Sequence, residues 1–96
     1  MFTKLISDMK ISIITATFNS EKIISTCLQS VASQTHYNTE HIVIDGGSTD
    51  GTLQTIQSLL NRVALVISEP EHEIYDALNK GIRQATGDII GFVHSA

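Results

Sequence analysis

Asp45 is the residue whose type and place could do chemistry. It closes a short apolar run, Ile42-Val43-Ile44, and is followed by Gly46-Gly47-Ser48-Thr49-Asp50-Gly51. The β-branched run favours a buried strand, the glycines admit backbone angles that other residues avoid, and Ser, Thr or Asp can cap a first helical turn. A carboxylate therefore stands at the carboxyl end of a strand, beside a helix start, where the ligands of open α/β sheets bind. The same string is also an ordinary way to leave a strand, so alone it does not establish a site. Other reactive types point away from chemistry. The four histidines, His36, His41, His72 and His94, do not cluster, which argues against a His-built metal or catalytic centre. Cys27 is the only cysteine; it allows no internal disulfide, and its apolar helical neighbours make it core rather than nucleophile.

The elements that must position Asp45 follow from periodicity. Ile11 to Ala16 is short, β-branched and almost continuously apolar, as a strand covered on both faces should be. Asn19 or Ser20 can cap a helix whose Ile23, Ile24, Cys27, Leu28 and Val31 recur at spacings of three and four, ending by Gln34. The second strand runs to Asp45, and Leu53, Ile56, Leu59 and Leu60 mark a helix over 49–61. Val63 to Ile67 is a third strand, closed by Pro70, which cannot extend a ladder. Ile74, Ala77, Leu78, Ile82 and Ala85 define a third helix stopped by Gly87, and Ile89 to Val93 is a fourth strand. The alternation predicts an α/β fold: three layers around a mainly parallel sheet of about four strands in βαβαβαβ order. Residues 1–9 lack a period and read as a disordered leader before a domain over 10–96.

Ninety-six residues with 42% hydrophobic content suit one core, and a net charge of −4 disfavours nucleic acid or an anionic membrane as partner. No apolar run approaches a membrane span, and Met1 to Asp8 is too weakly apolar for a secretory signal, so the cytoplasm is expected. Nothing follows the fourth strand to cover it. An uncovered edge predicts a fragment of a larger fold, or a homo-oligomer joined through that edge.

Three ordered blocks carry a resemblance. Ile13-Ile14-Thr15-Ala16-Thr17-Phe18-Asn19 is the first and Val43-Ile44-Asp45-Gly46-Gly47-Ser48-Thr49-Asp50-Gly51-Thr52 the second. The third runs from Ser68-Glu69-Pro70 through Ile74-Tyr75-Asp76-Ala77-Leu78-Asn79-Lys80-Gly81 to Ala85-Thr86-Gly87-Asp88 and the strand after it. Together they resemble the nucleotide-binding start of a family 2 glycosyltransferase with the GT-A fold, the Rossmann-like half that binds a sugar nucleotide, most often UDP-linked. The resemblance implies that Thr15, Ala16, Thr17 and Phe18 line the base pocket, with the backbone of Ala16 and the ring of Phe18 nearest the nucleotide. It implies that Asp45 accepts a hydrogen bond from the base edge, and that Asn79 and Lys80 lie near the ribose or diphosphate. Read on their own, Phe18 suits core or base platform equally, Lys80 suits a solvated helix face, and Asn79 suits a local turn. Tyr75 and Asp76 fit the block without an assignable chemistry. A Rossmann dehydrogenase is disfavoured, because Thr17-Phe18-Asn19-Ser20 is no glycine fingerprint.

Departures from the family pattern matter equally. Relatives carry an acidic pair after the fourth strand that holds Mg²⁺ or Mn²⁺ against the diphosphate, a task for hard oxygen ligands. Here those positions are His94, Ser95 and Ala96, and Glu73 stands where glycine is expected. The chain also stops before the acceptor-binding half that would hold the general base. The resemblance thus implies a fragment of a sugar-transferring enzyme of polysaccharide biosynthesis, inactive alone, with neither metal nor other cofactor of its own. The competing reading is a non-catalytic module that binds nucleotide or associates with itself.

Overall fold

A computed structural model describes residues 9–33, 38–59, 63–71 and 73–93. The elements alternate as expected: β1 (Ile11–Thr17), α1 (Ile24–Ala32), β2 (Thr39–Asp45), α2 (Thr52–Ser58), β3 (Leu65–Ser68), α3 (Ile74–Gln84) and β4 (Ile89–Phe92). All three strand pairings are parallel, in the order β3-β2-β1-β4. The leader expected before Lys10 lies, except for Met9, outside the described residues, as do His36, His72 and residues 94–96.

Two apolar faces make the three layers. Ile14, Ile42 and Ile44 point to one side and pack on Ala77 of α3, with Leu65, Ile67 and Leu78 around them. Val43 points to the other side and packs on Ile24 and Leu28 of α1 and Ile56 of α2. Successive residues of β2 serve opposite faces because a strand alternates, which is why Ile42-Val43-Ile44 had to be apolar throughout. Each fully buried Ile or Leu contributes ~2 kcal/mol, so the two clusters supply most of what holds the layers. No helix among the described residues is long and apolar enough to cross a membrane.

Element boundaries shift where side chains expected as caps are used elsewhere. α1 begins at Ile24 and has no side-chain cap. Asn19 takes a left-handed backbone (φ 46°) and turns its amide to the next loop, while the Ser20 hydroxyl donates back to the Phe18 carbonyl at 3.0 Å. A turn at Ser20 replaces the expected cap, its carbonyl accepting the N–H groups of Ile23 and Ile24. α2 is shorter than expected, and β3 starts two residues later, at Leu65. β4 lies at the sheet edge with Ile89, Ile90 and Phe92 exposed, and no strand lies beyond it among the described residues.

The amino end of the sheet is closed by a polar cluster that the sequence reading missed. Glu40 accepts from the Ser12 hydroxyl at 2.5 Å and from the backbone N–H and hydroxyl of Thr86 at 2.7 and 2.9 Å, and it pairs with Lys10 at 3.3 Å. Gly87 donates its N–H to the Ser12 hydroxyl at 2.9 Å. A Cβ there would lie 2.8 Å from the Lys10 carbonyl oxygen and the Ser12 nitrogen, so the close approach of the two backbones requires glycine. Thr86 and Gly87 of the third sequence block thus fasten the start of β4 to β1 and β2. Burial pushes the Glu40 carboxyl up, but these donors outweigh it and hold the pKa down at about 2.

A carboxyl whose pKa falls on folding stabilises the fold above its ordinary value, and that contribution fades as pH drops toward the folded value. Glu40→Gln is therefore expected to cost about 1–2 kcal/mol at pH 7 and to flatten the loss of stability between about pH 4.5 and 2. Urea denaturation at pH 7 and pH 3 measures both, and an unchanged acid dependence would contradict the role given to Glu40.

Candidate nucleotide pocket

The chain steps from β1 to β2 to β3 in one direction and then returns through α3 to place β4 on the far side of β1. That reversal opens a crevice at the carboxyl end of β1, the place where α/β sheets bind ligands. A pocket of about 370 Å³ lies there, lined by Ala16, Thr17, Phe18, Gly46, Glu71, Glu73, Ile74 and Ala77. Its volume is in the range of small-molecule sites. The lining is mainly apolar, with Phe18 56% exposed and available as a platform for a flat ring.

Asp45 is placed behind this pocket and shapes it. Its side chain is fully buried, and both oxygens are taken by the chain's own donors. Oδ2 accepts from the N–H groups of Gly47 and Ser48 at 3.0 and 2.9 Å and from the Ser68 hydroxyl at 2.9 Å, and Oδ1 accepts from the Ser48 hydroxyl at 2.5 Å. Its carbonyl accepts from Glu69 N–H at 3.0 Å. The carboxylate thus winds the loop after β2 and ties it to the end of β3. Gly47 completes the turn with φ 88°, where a side chain would be strained and a Cβ would meet the Cα of Pro70 at 3.2 Å.

That loop is stitched to the loop after β1. Asn19 Oδ1 accepts from Thr49 N–H at 2.8 Å, and Asn19 N–H donates to the Ser48 hydroxyl at 2.9 Å. Ser20 N–H donates to the Thr52 hydroxyl at 2.7 Å, which in turn donates to Asp50 at 2.5 Å. The Thr52 hydroxyl holds the Asp50 carboxyl below its ordinary pKa. Asn19, Ser48, Thr49 and Asp50, the polar letters of the first two blocks, therefore fix two loops as one wall.

The remaining sequence candidates divide. Ala16, Thr17 and Phe18 line the pocket. Thr15 is fully buried on the α1 side of the sheet, its hydroxyl 2.7 Å from His41 Nε2 and 4.0 Å from Cys27 Sγ. Burial holds His41 neutral by lowering its pKa to about 4 and pushes the Cys27 thiol up, so this trio is a core contact and not a nucleophile. Lys80 pairs with Glu71 and, at 3.4 Å, with Glu69; the hydrogen bond to Glu71 is the larger cause that keeps its ammonium protonated. Asn79 is on the exposed side of α3, outside the pocket lining. Glu71, Ile74 and Ala77 were missed as pocket-lining residues, although Ile74 and Ala77 stand in the third block and Glu71 in the gap between its first two parts. Among the described residues no three His, Cys, Asp or Glu side chains converge as a metal ion would need.

Comparison with known proteins agrees with this geometry. The family model described as "Glycosyl transferase family 2" matches residues 12–95. An uncharacterized glycosyltransferase of Mycobacterium tuberculosis is 40% identical over 87 residues, which are 90% of this chain and 33% of the relative. The poly(ribitol-phosphate) beta-N-acetylglucosaminyltransferase TarS of Staphylococcus aureus is 38% identical over 91% of this chain and 16% of its own length. Among solved structures, a mannosyltransferase of Pyrobaculum calidifontis in complex with GDP-Man and Mn²⁺ superposes with a TM-score of 0.84 at 26% identity, covering 91% of this chain and 27% of that one. S. aureus TarS 1–349 in complex with UDP-GlcNAc superposes with a TM-score of 0.82 at 36% identity, covering 91% and 26%. The chain thus spans a third or less of the length of these proteins.

Removing the buried carboxylate leaves several enclosed donors without an acceptor. Asp45→Ala is expected to cost about 3 kcal/mol, whereas Ser68→Ala, which deletes one of the donors, costs about 1 kcal/mol. Equilibrium denaturation of both variants checks the ranking, and a smaller loss in the Asp45 variant would contradict it.

Proposed function

Because the chain belongs to glycosyl transferase family 2, we propose that it is the donor-binding part of an enzyme that moves a sugar from a nucleotide donor to a glycan or lipid-linked acceptor. The observation that carries this reading is the pocket at the topological switch point, walled by the first two sequence blocks and by the start of α3. The donor is a nucleoside diphosphate sugar, with UDP the first candidate. The base enters between the Phe18 ring and the backbone of Ala16 and Gly46, while Thr15 and Asp45 act from behind by holding β1 and the loop in place. Lys80, from the middle of α3, sends its ammonium toward Glu71 and Glu69 before the helix start, and Asn79 beside it reaches the ligand only if the ribose or diphosphate extends over the helix. Relatives of known structure carry Mn²⁺ with the nucleotide. The described residues do not form a metal centre, so no step is assigned to an ion here. The chain's part in transfer is to bind and orient the donor. The lone free Cys27 suits the reducing cytoplasm as its compartment.

Calorimetric titration with UDP, with and without Mn²⁺, tests the reading. Saturable binding that weakens about tenfold or more in Phe18→Ala is expected, from the loss of a base-stacking contact. No binding in any condition would overturn it.

A second association is favoured by the β4 edge, where Ile89, Ile90 and Phe92 stand 43%, 39% and 50% exposed on a strand with no neighbour beyond it among the described residues. The purified chain is expected to form a homo-oligomer through this edge. Sedimentation should show self-association that Ile90→Lys abolishes, and a monomer at high concentration would refute it.

A further inference from the structure

Part of the pocket wall comes from the loop between β3 and α3, which gives Glu71 and Glu73, and part from α3 itself, which gives Ile74 and Ala77. The β3 end of that loop is fixed to the Asp45 turn, since Glu69 N–H donates to the Asp45 carbonyl at 3.0 Å and Pro70 lies against Gly47. At the other end Glu73 is exposed, in extended backbone. Lys80 joins this loop to the body of the helix. It stands three residues beyond Ala77, and its ammonium reaches back to Glu71 and, at 3.4 Å, to Glu69. The side chains of Glu71 and Lys80 are only 10% and 24% exposed, so solvent screens their pair less than it would a surface pair. The helix that carries Lys80 is itself firmly seated. At the next residue, Gly81, it lies so close to β1 that a Cβ would collide with the Ile14 side chain, and Ala77 is buried against the same sheet face.

We propose, on the donor-binding reading given above, that Lys80 is a positioning residue: through Glu71 it holds the β3–α3 loop to α3 and so sets the spacing of two parts of the pocket wall, without touching the donor. Lys80 is absent from the pocket lining, whereas its partner Glu71 is part of it. An ammonium has three N–H donors, and here carboxylates of the loop are their partners. A binding site works only when its walls are held to within about half an ångström by neighbours that need not meet the ligand. Without the ammonium, Glu71 is an enclosed carboxylate with no counter-charge, and it must turn toward water or take up a proton. Either response moves the wall. A direct hold on the diphosphate is the competing role for the same lysine, and it makes the opposite demand on Glu71, which would then compete with the ligand for the cation.

The test is a calorimetric titration of the purified chain with UDP and GDP, repeated with the tighter of the two on Lys80→Met, Lys80→Arg, Glu71→Gln and the double variant Lys80→Met with Glu71→Gln. Thermal melting accompanies each, and every titration is run well below the melting temperature. Lys80→Met and Glu71→Gln are each expected to weaken binding about fivefold or more, and the double variant to be within about twofold of the weaker single, because the pair acts as one unit. Lys80→Arg, which keeps a cation within reach of Glu71, should regain most of the affinity. Tighter binding in Glu71→Gln would mean that the freed ammonium holds the diphosphate, and overturns the proposal. Losses that add in the double variant would mean that each side chain meets the donor on its own, and overturn it too. So does Lys80→Met that melts lower yet binds as wild type does, the mark of a purely structural pair. Should Lys80→Met fail to fold, Glu71→Gln keeps the size of the side chain and still decides by the sign of its effect. Wild type that binds neither nucleotide overturns the donor-binding reading and this proposal together.

Discussion

The enclosed carboxylate of Asp45 is the constraint on which the functional end of the molecule depends. It leaves water completely, and it can do so only because four donors from its own loop and from β3 replace the solvent. Satisfying those bonds sets the path of the chain through Gly46 and Gly47, seats Pro70 against the turn, and brings Ser48 and Thr49 within reach of Asn19. One buried charge thus organises loops from three different strands. The pocket wall follows from that organisation, since Phe18 and Gly46 are neighbours only when both loops are in place.

The two ends of the sheet use acidic residues on β2 for different tasks. Glu40, near its start, ties the α3–β4 connection to β1 with a set of hydroxyl and backbone donors and a lysine. Asp45, at its end, arranges the loops that face a ligand. Between them lies an apolar stretch that serves both faces, so the strand is a structural axle with a polar fastening at each end. Much of what reads as a functional signature, Asn19 and Ser48 to Asp50 included, is the chemistry of fastening.

The proposed donor binding rests on family membership and pocket geometry together. The switch-point crevice has the flat apolar wall that a base would need, in Phe18 beside Gly46. Lys80 is drawn toward Glu69 and Glu71, so its charge is balanced before any ligand arrives. That local balance would leave an anionic diphosphate little unopposed positive charge from Lys80.

The sequence by itself determined the order and type of all seven elements, because each strand and helix has its own apolar period and each boundary its own turn residues. The strand-end position of Asp45 and the core place of Cys27 were also legible, since they depend on local pattern, whereas the place of Ala16 to Phe18 was implied only by the family resemblance. What only the tertiary structure decided were matters of partnership. Asn19 and Ser20 are good caps by type, but the loop after β2 offered Asn19 better acceptors and donors, so α1 starts four residues later. That Asp45 takes donors from its own loop and from Ser68, twenty-three residues away, was not legible. Glu40 and Glu71 carried no local signal. The partners of Glu40 lie up to forty-six residues away in the chain, brought together by parallel crossovers that no short window of sequence contains, whereas Glu71 meets Lys80 only nine residues on.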